Sequence, residues 1–443
     1  MPAASPAMPL SSAAPEPAPR AAPGPAKRPL LRRALALART HGAIVLLLVV
    51  SAGLRSFRLS EKAGGLIGDE IWYVQDARVI LGLPLTTFKN LPPHPLSGLD
   101  PNSEHPPLAK LAIAASMKLF GDREIAWRIP SVVLGTLGIW LLYLVVQALG
   151  GSRRLALFSA FLLAFENLSF LHGRIAMLDV YLCTFMLLGT LLYLRGWFEV
   201  AGIAFGVAAL CKMNAIGGLA ALLFFDAFLG ARGAFRGFRR ESLRGLWPRW
   251  SAVAPRALAV FFFVAFFLAG LGTLDNFWTE FRTPFAHLAH MVQFHLSLTH
   301  HGPSTGNESV PPAWWLDQGG FDYLSWTWNE HGTTNRMEFR AALNEYIVWA
   351  APFALVYAGQ LAWTERSRLG AFAVASFLAN FTPPFLAWAI HGRTSYIFYM
   401  LPSVPAFVIA IALGAERLPR TLRWAFAGAV LYAFFFDFPF RYF

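Results

Sequence analysis

The chain has 443 residues, 56% hydrophobic and 15% aromatic, with only 14% charged and a mean hydropathy of +0.48. A soluble protein of this length carries about 25% charged residues; here the apolar residues come in long runs, which excludes a soluble globular fold and marks a polytopic membrane protein. The net charge of +12 lies in short basic stretches between those runs, not on the solvated face or groove that nucleic acid requires, so nucleic acid is not an expected partner.

Residues 1–29 are rich in Pro and Ala and carry no apolar period, which predicts a disordered tail. There is no early apolar core followed by a small-residue cleavage site, so the tail does not read as a signal peptide. The basic stretch "KRPLLRRALALART" then predicts a lead-in on the cytoplasmic leaflet, and residues 1–41 form one unit of tail and lead-in.

About eleven membrane spans are predicted, near 42–57, 127–149, 155–172, 175–194, 197–212, 214–230, 257–274, 344–363, 370–390, 396–414 and 421–438. With the N-terminus inside, the inner connections are "GGSRR", Arg195, the stretch 231–256 with seven Arg against one Glu, "TERSR" and "ERLPRTLR". All are basic, as the positive-inside bias demands, and the C-terminus "DFPFRYF" falls outside. Two connections are long. Residues 58–126, in an N-terminal membrane module 42–274, hold the adjacent acids Asp69 and Glu70 in "GDEIWY" and the turn "HPPLAK" from His105 to Lys110. Residues 275–343 hold many Trp and six of the eleven His, a composition expected of short interfacial helices; residues 344–443 supply the C-terminal spans.

Charges inside spans are costly and mark function by default. They are Arg128, Glu166, Arg174, Asp179, Lys212 and Arg393. In this topology all lie at or near outer span ends, as do Asp69, Glu70 and His105, which predicts one shared external-face site. Arg174 and Asp179 are five residues apart, so a helix would place them about 140° apart in rotation. The alternative for Glu166 and Asp179 is an ion pair locking two helices. Arg128, Lys212 and Arg393 make a set of cations suited to a phosphate, with head-group snorkelling as the alternative. Cys183 and Cys211 sit in apolar runs without a CxxC neighbour and read as free thiols. His287, His290 and His295 have spacings that put only the first two on one helical face, with no HExxH nearby, so no metal site is assigned.

In this order, "GDEIWY", "HPPLAK", "RIPSVVLGTL", "ENLSFLHGRIAMLDVYL", "ALCKMNAIGGLA" and "RTSYIFYMLPSVP" resemble the protein O-mannosyltransferases, GT-C glycosyltransferases that use lipid-phosphate sugars. The likeness runs over roughly residues 60–415 and is densest from 66 to 215. The His at position 105 separates the chain from the related lipid A aminoarabinose transferases, which tend to have Lys there. The second long connection is too short for the large lumenal β-trefoil domain of eukaryotic members, which points to the prokaryotic type.

The resemblance implies an all-α GT-C bundle in the plasma membrane. It implies inverting transfer of mannose from a polyprenyl- or dolichyl-phosphate carrier to Ser or Thr of exported proteins, with no cofactor. It makes Asp69 the general base, with Glu70 beside it as an acceptor or sugar contact. Arg128 is the first choice for the phosphate, followed by Arg393 and Lys212. His105 shapes the loop, and Glu166, Arg174 and Asp179 orient the site. Two other readings stay open: another lipid-linked sugar or a lipid or glycan acceptor, and a flippase for a lipid-linked solute. A transporter would show inverted repeats and midplane charges, and neither is evident.

Overall fold

A computed structural model describes residues 28–60, 66–85, 96–236, 250–299, 308–330, 333–438 and 441–442. The Pro/Ala-rich tail to residue 27, the Arg-rich stretch 237–249 and the loop 300–307 lie outside the described residues. Residues up to Ala43 form a unit of their own, in which helix begins at Arg28. Ile44–Phe443 form the second unit, which holds the bundle and the site.

Helix α1 (Arg28–Ser56) leads into the first long connection, which carries α2 (Glu70–Leu81) and α3 (Leu108–Phe120). Then come α4 (Glu124–Ala148), α5 (Arg153–Ala164), α6 (Asn167–His172), α7 (Leu178–Leu194), α8 (Phe198–Cys211), α9 (Ile216–Arg236) and α10 (Trp250–Trp278). The second long connection holds α11 (Pro284–Ser297), α12 (Pro311–Trp314), β1 (Phe321–Glu330) and β2 (Thr333–Ala341). The chain closes with α13 (Glu345–Thr364), α14 (Arg368–His391), a 3-10 helix at Ile397–Ser403, α15 (Val404–Glu416), α16 (Arg420–Phe436) and β3 (Arg441–Tyr442).

Helix occupies each of the eleven predicted windows. By length and hydropathy six helical segments among the described residues qualify as membrane spans, and three apolar helices of 10–17 residues fall short of that length. The shortening has identifiable causes. The window 155–172 is broken after Ala164 because Glu166 turns its carboxylate onto the backbone N–H groups of Leu168 and Ser169 and starts α6 anew. The window 197–212 ends where Lys212 leaves helical geometry, at φ −159° and ψ 131°.

The second long connection differs from the expectation of interfacial helices alone. After α11 and α12 it forms an antiparallel hairpin, paired from Phe321↔Ala341 to Glu330↔Thr333, with an irregularity between Asp322 and Leu324 that sets Tyr323 out of register. β3 adds to β2 by two pairs, Met337↔Tyr442 and Glu338↔Arg441. The segment "FDYLSWTWNE" alternates aromatic with polar residues over most of its length, a pleated-strand pattern. Its aromatic richness looks equally like a membrane-interface signal, which hides that alternation.

Helix α7 packs between α4 and α8, α8 packs on α10, and α13, α14 and α15 pack together. Gly202 lets α8 and α10 approach closely: a Cβ there would fall 2.9 Å from the backbone nitrogen of Phe263. Of the most apolar window of Ile397–Glu416, 89% is buried, against 11% for Val253–Trp278, so the former is core and α10 is peripheral. A buried polar knot joins the two ends of the bundle. Glu166 also accepts from the Asn344 N–H at 3.0 Å. The Asn344 amide donates to the carbonyls of Phe165 (3.3 Å) and Val430 (3.0 Å) and to the side chain of Asn167 (3.0 Å). Asn344→Ala removes that amide from three buried acceptors and is expected to cost about 1–3 kcal/mol. A thermal midpoint in detergent lowered by several degrees, without a change in helix content, is the expected result.

Candidate active site

Gly68, at φ +56°, makes the turn that starts α2, and Asp69 sits at its N-cap without a side-chain capping bond. The two neighbouring acids then diverge. Glu70 is fully buried. Its carboxylate takes both Arg128 Nε (2.8 Å) and Nη2 (2.6 Å), together with the backbone N–H groups of Ile67 (2.9 Å) and Ala176 (2.7 Å). Arg128 also donates to the Leu59 carbonyl at 2.6 Å. This bidentate pair joins α2, α4 and the turn before α7, and every Glu70 oxygen is engaged. Asp69 is half-buried and no described side chain caps or hydrogen-bonds its carboxylate. Burial pushes its carboxyl up to about 6; Lys212 and His172 oppose that shift, and Asp179 and Glu104 add to it.

The break after α8 aims Lys212 at Asp179, in the first turn of α7, at 2.7 Å. His172, at the end of α6, faces the other Asp179 oxygen across 3.6 Å and lies 2.9 Å from the Tyr323 hydroxyl through Nε2. Lys212 Nζ stands 5.2 Å from the Phe398 ring centre.

The "HPPLAK" turn is held by its own lysine. Lys110 is fully buried, ion-paired with Asp100, and donates to the carbonyls of Asn102 and His105, the latter at 3.2 Å. This brings the His105 ring against His295 at 5.1 Å. Burial, with Lys212, His295 and Lys110 nearby, holds the His105 imidazole well below its usual range and therefore neutral. His295 is pushed down to about 4 by burial and by Arg393 and Lys212. Arg393 follows the left-handed Gly392 that ends α14; it donates to the His295 carbonyl and lies 3.2 Å from His295 Nδ1 and 3.3 Å from the Tyr399 hydroxyl.

Of the residues singled out in the sequence, Asp69, His105, Asp179, Lys212 and Arg393 thus belong to one polar centre. Arg128 turns away from it to Glu70. Arg174 donates to the carbonyls of Phe57 (2.6 Å) and Arg58 (3.3 Å) and stacks on Phe170 and Phe339. Glu166 belongs to the Asn344 knot. His287 is bound to Asp275 (2.6 Å) and to the Ser103 carbonyl (2.9 Å), which fixes α11 against the first long connection, and His290 packs against Phe281. Sequence reasoning missed Glu104, His172 and Tyr323. The first two lie inside or beside the quoted motifs; Tyr323 carries no signal without the hairpin register.

The family profile described as dolichyl-phosphate-mannose-protein mannosyltransferase matches residues 104–243. The polyprenol-phosphate-mannose–protein mannosyltransferase of Corynebacterium glutamicum is 25% identical over 371 residues, covering 71% of this chain and 70% of the relative. A Mycolicibacterium smegmatis protein of the same name is 27% identical over 151 residues, 27% of this chain and 29% of the relative. The chain is similar to the protein O-mannosyltransferases over residues 104–243 and, at 25% identity, over most of its length. Its helical bundle has the fold of the GT-C membrane glycosyltransferases. The S. cerevisiae protein O-mannosyltransferase complex bound to the sugar donor superimposes with a TM-score of 0.64 at 13% identity, over 90% of this chain and 89% of that one. ArnT from Cupriavidus metallidurans bound to undecaprenyl phosphate gives 0.54 at 18% identity, over 87% and 62%. At such identities these two support the fold alone.

The acidic pair can be probed directly. Breaking a buried ion pair by removing one partner costs about 3–5 kcal/mol, so Glu70→Ala is expected to lose monodisperse protein on detergent size-exclusion. Asp69→Asn is expected to run as wild type. A Glu70→Ala protein of wild-type thermal midpoint would remove the structural role given to the pair.

Proposed function

We propose that this enzyme transfers mannose from a polyprenyl-phosphate carrier to a Ser or Thr hydroxyl of an exported protein. The site faces the outside of the plasma membrane, with the N-terminus cytoplasmic and the C-terminus external. The observation that carries the reading is the Asp69 carboxylate: half-buried, uncapped, raised towards neutrality and set beside the Lys212–Asp179 pair.

In the reaction the acceptor oxygen forms a bond to the anomeric carbon as its proton passes to Asp69. The bond from that carbon to the phosphate oxygen breaks, and the electron pair leaves with the lipid phosphate. Attack from the face opposite the phosphate inverts the centre. A base works best with a pKa near the operating pH, and burial moves Asp69 in that direction. Lys212 and Arg393 stabilise the leaving phosphate, the group on which charge develops. Arg128 serves instead through Glu70, which fixes the turn carrying Asp69. His105, neutral, walls the site beside His295. The sign of the pH dependence follows: the base must be deprotonated.

The names of the C. glutamicum and M. smegmatis relatives support the donor and a protein acceptor. The chain's own surface supports a lipid carrier. An apolar groove of about 710 Å³ runs between α3, α4, α7, α8 and α10, lined by Ala112, Val133, Phe185, Val207, Cys211 and Phe266 among others. Cys211 precedes Lys212, so a polyprenyl tail in this groove leaves its phosphate at the lysine.

With polyprenyl-phosphate-mannose and a Thr-containing peptide, Asp69→Asn is expected to lower the transfer rate by about 10²–10⁴-fold. Wild-type kcat/KM should fall about tenfold per pH unit below about 6 and level off above it. A flat profile between pH 4 and 8, or undiminished transfer by a folded Asp69→Asn enzyme, would refute the base assignment. Filling the groove with Ala112→Phe should raise the donor KM for a long-chain carrier and leave that for a short-chain analogue nearly unchanged; equal effects on both would detach the groove from the tail.

A further inference from the structure

Tyr323 is the out-of-register residue of the hairpin, and two contacts fasten it to the turn that carries Asp69. Its carbonyl accepts the Gly68 N–H at 3.4 Å, and its ring covers Gly68 so closely that a Cβ there would lie 2.8 Å from Cδ1. The hairpin therefore closes one side of the Asp69 turn. The phenol hydroxyl is not left to find its own orientation. It lies 2.9 Å from His172 Nε2, and the His172 ring is itself set between Asp179, 3.6 Å from Nδ1, and the Phe398 ring, 6.0 Å away centre to centre.

The order of charges fixes the direction of these contacts. Asp179 is ion-paired with Lys212 and turns its second oxygen to His172 Nδ1, which favours the proton on that nitrogen. Nε2 is then an acceptor, and Tyr323 donates its O–H to it. A phenol that donates once has acceptor capacity remaining on the same oxygen. Burial together with Asp69 and Asp179 holds the Tyr323 hydroxyl well above its usual range, so it stays protonated and exchanges no proton in the reaction.

We propose that Tyr323, anchored by His172, is a positioning residue for the acceptor: its oxygen receives a hydrogen bond from a backbone N–H of the incoming peptide, which leaves the one proton of the Ser or Thr hydroxyl for Asp69, so that hairpin β1–β2 favours a peptide over water. The inference rests on Asp69 as the base. Water entering the same position would give free mannose and the same lipid phosphate, with its proton likewise passing to Asp69. The hairpin thereby sets the partition between transfer and hydrolysis, and its position on a strand, where an extended peptide can lie alongside, suits a polypeptide acceptor.

The test uses the full-length enzyme in lipid nanodiscs with polyprenyl-phosphate-mannose and a Thr-containing peptide, measuring mannosyl-peptide and free mannose separately. Tyr323→Phe is expected to lower kcat/KM for the peptide about tenfold, the loss of one hydrogen bond, to leave the donor KM unchanged, and to raise the ratio of free mannose to mannosyl-peptide. His172→Phe should match it, His172→Gln, which retains a hydrogen-bonding partner for the phenol, should recover most of the loss, and Tyr323→Phe with His172→Phe should be no worse than either alone. If Tyr323→Phe lowers both products in proportion, the residue is structural and the proposal fails; wild-type peptide kinetics in Tyr323→Phe overturn it equally. Asp69→Asn separates the two ideas: transfer that survives in that variant sinks the base assignment, whatever the Tyr323 ratio does.

Discussion

The bidentate pair between Glu70 and Arg128 is the constraint on which the site depends. Two adjacent acids at the start of a helix cannot point the same way. Burying Glu70 against Arg128, with the Ile67 and Ala176 N–H groups completing its oxygens, orients α2 relative to α4 and α7. Asp69 is then directed to the opposite side. An ion pair this deep contributes little net stability, because desolvation offsets most of its Coulomb energy. Its value is geometric: it leaves one place for the turn to sit, and that place is beside Lys212 and Asp179.

Helix breaks do the rest. Lys212 and Arg393 each follow the end of a helix, Glu166 starts one, and Asp179 lies in the first turn of another. A continuous span would carry its polar side chains past the membrane core at fixed helical intervals. Interrupting the helices frees Lys212 and Arg393 to turn inward, and it also accounts for helices too short to span by length alone. The same interruptions would expose backbone groups without partners, and the knot of Glu166 and Asn344 satisfies several of them inside the protein.

Much of this was legible in the sequence, and what was not had a common cause. The helical architecture followed from the apolar runs, and the charges flagged as costly inside spans all have defined partners and, Arg393 apart, are buried. Composition could not say which cations reach the polar centre around Asp69 and Asp179 and which support its turn. Arg128 and Lys212 look equivalent along the chain; only the position of Glu70 separates them. Spacing also placed Arg174 and Asp179 on different helical faces, and they indeed serve different partners, but the break after His172 makes that argument moot. The hairpin was hidden because an alternating aromatic strand and an interfacial aromatic segment share a composition.

A base of raised pKa in a half-buried turn carries a hazard as well as an advantage. With Asp69 as the proposed base, the features that would let it accept a proton from an alcohol would let it accept one from water, and water is smaller and far more abundant than any peptide hydroxyl. An enzyme of this chemistry needs an element on the acceptor side that admits an extended chain and orients its hydroxyl. On the proposed reading the membrane helices do not supply it, because they take the carrier and the phosphate. The second long connection can: it packs its hairpin onto Gly68, sets a phenol on His172, and is tied through that histidine to the Asp179–Lys212 pair on the donor side. On the proposed reading, acceptor geometry and phosphate neutralisation are thus parts of one polar array, and displacing the hairpin would disturb the orientation of the acceptor before it disturbed the donor.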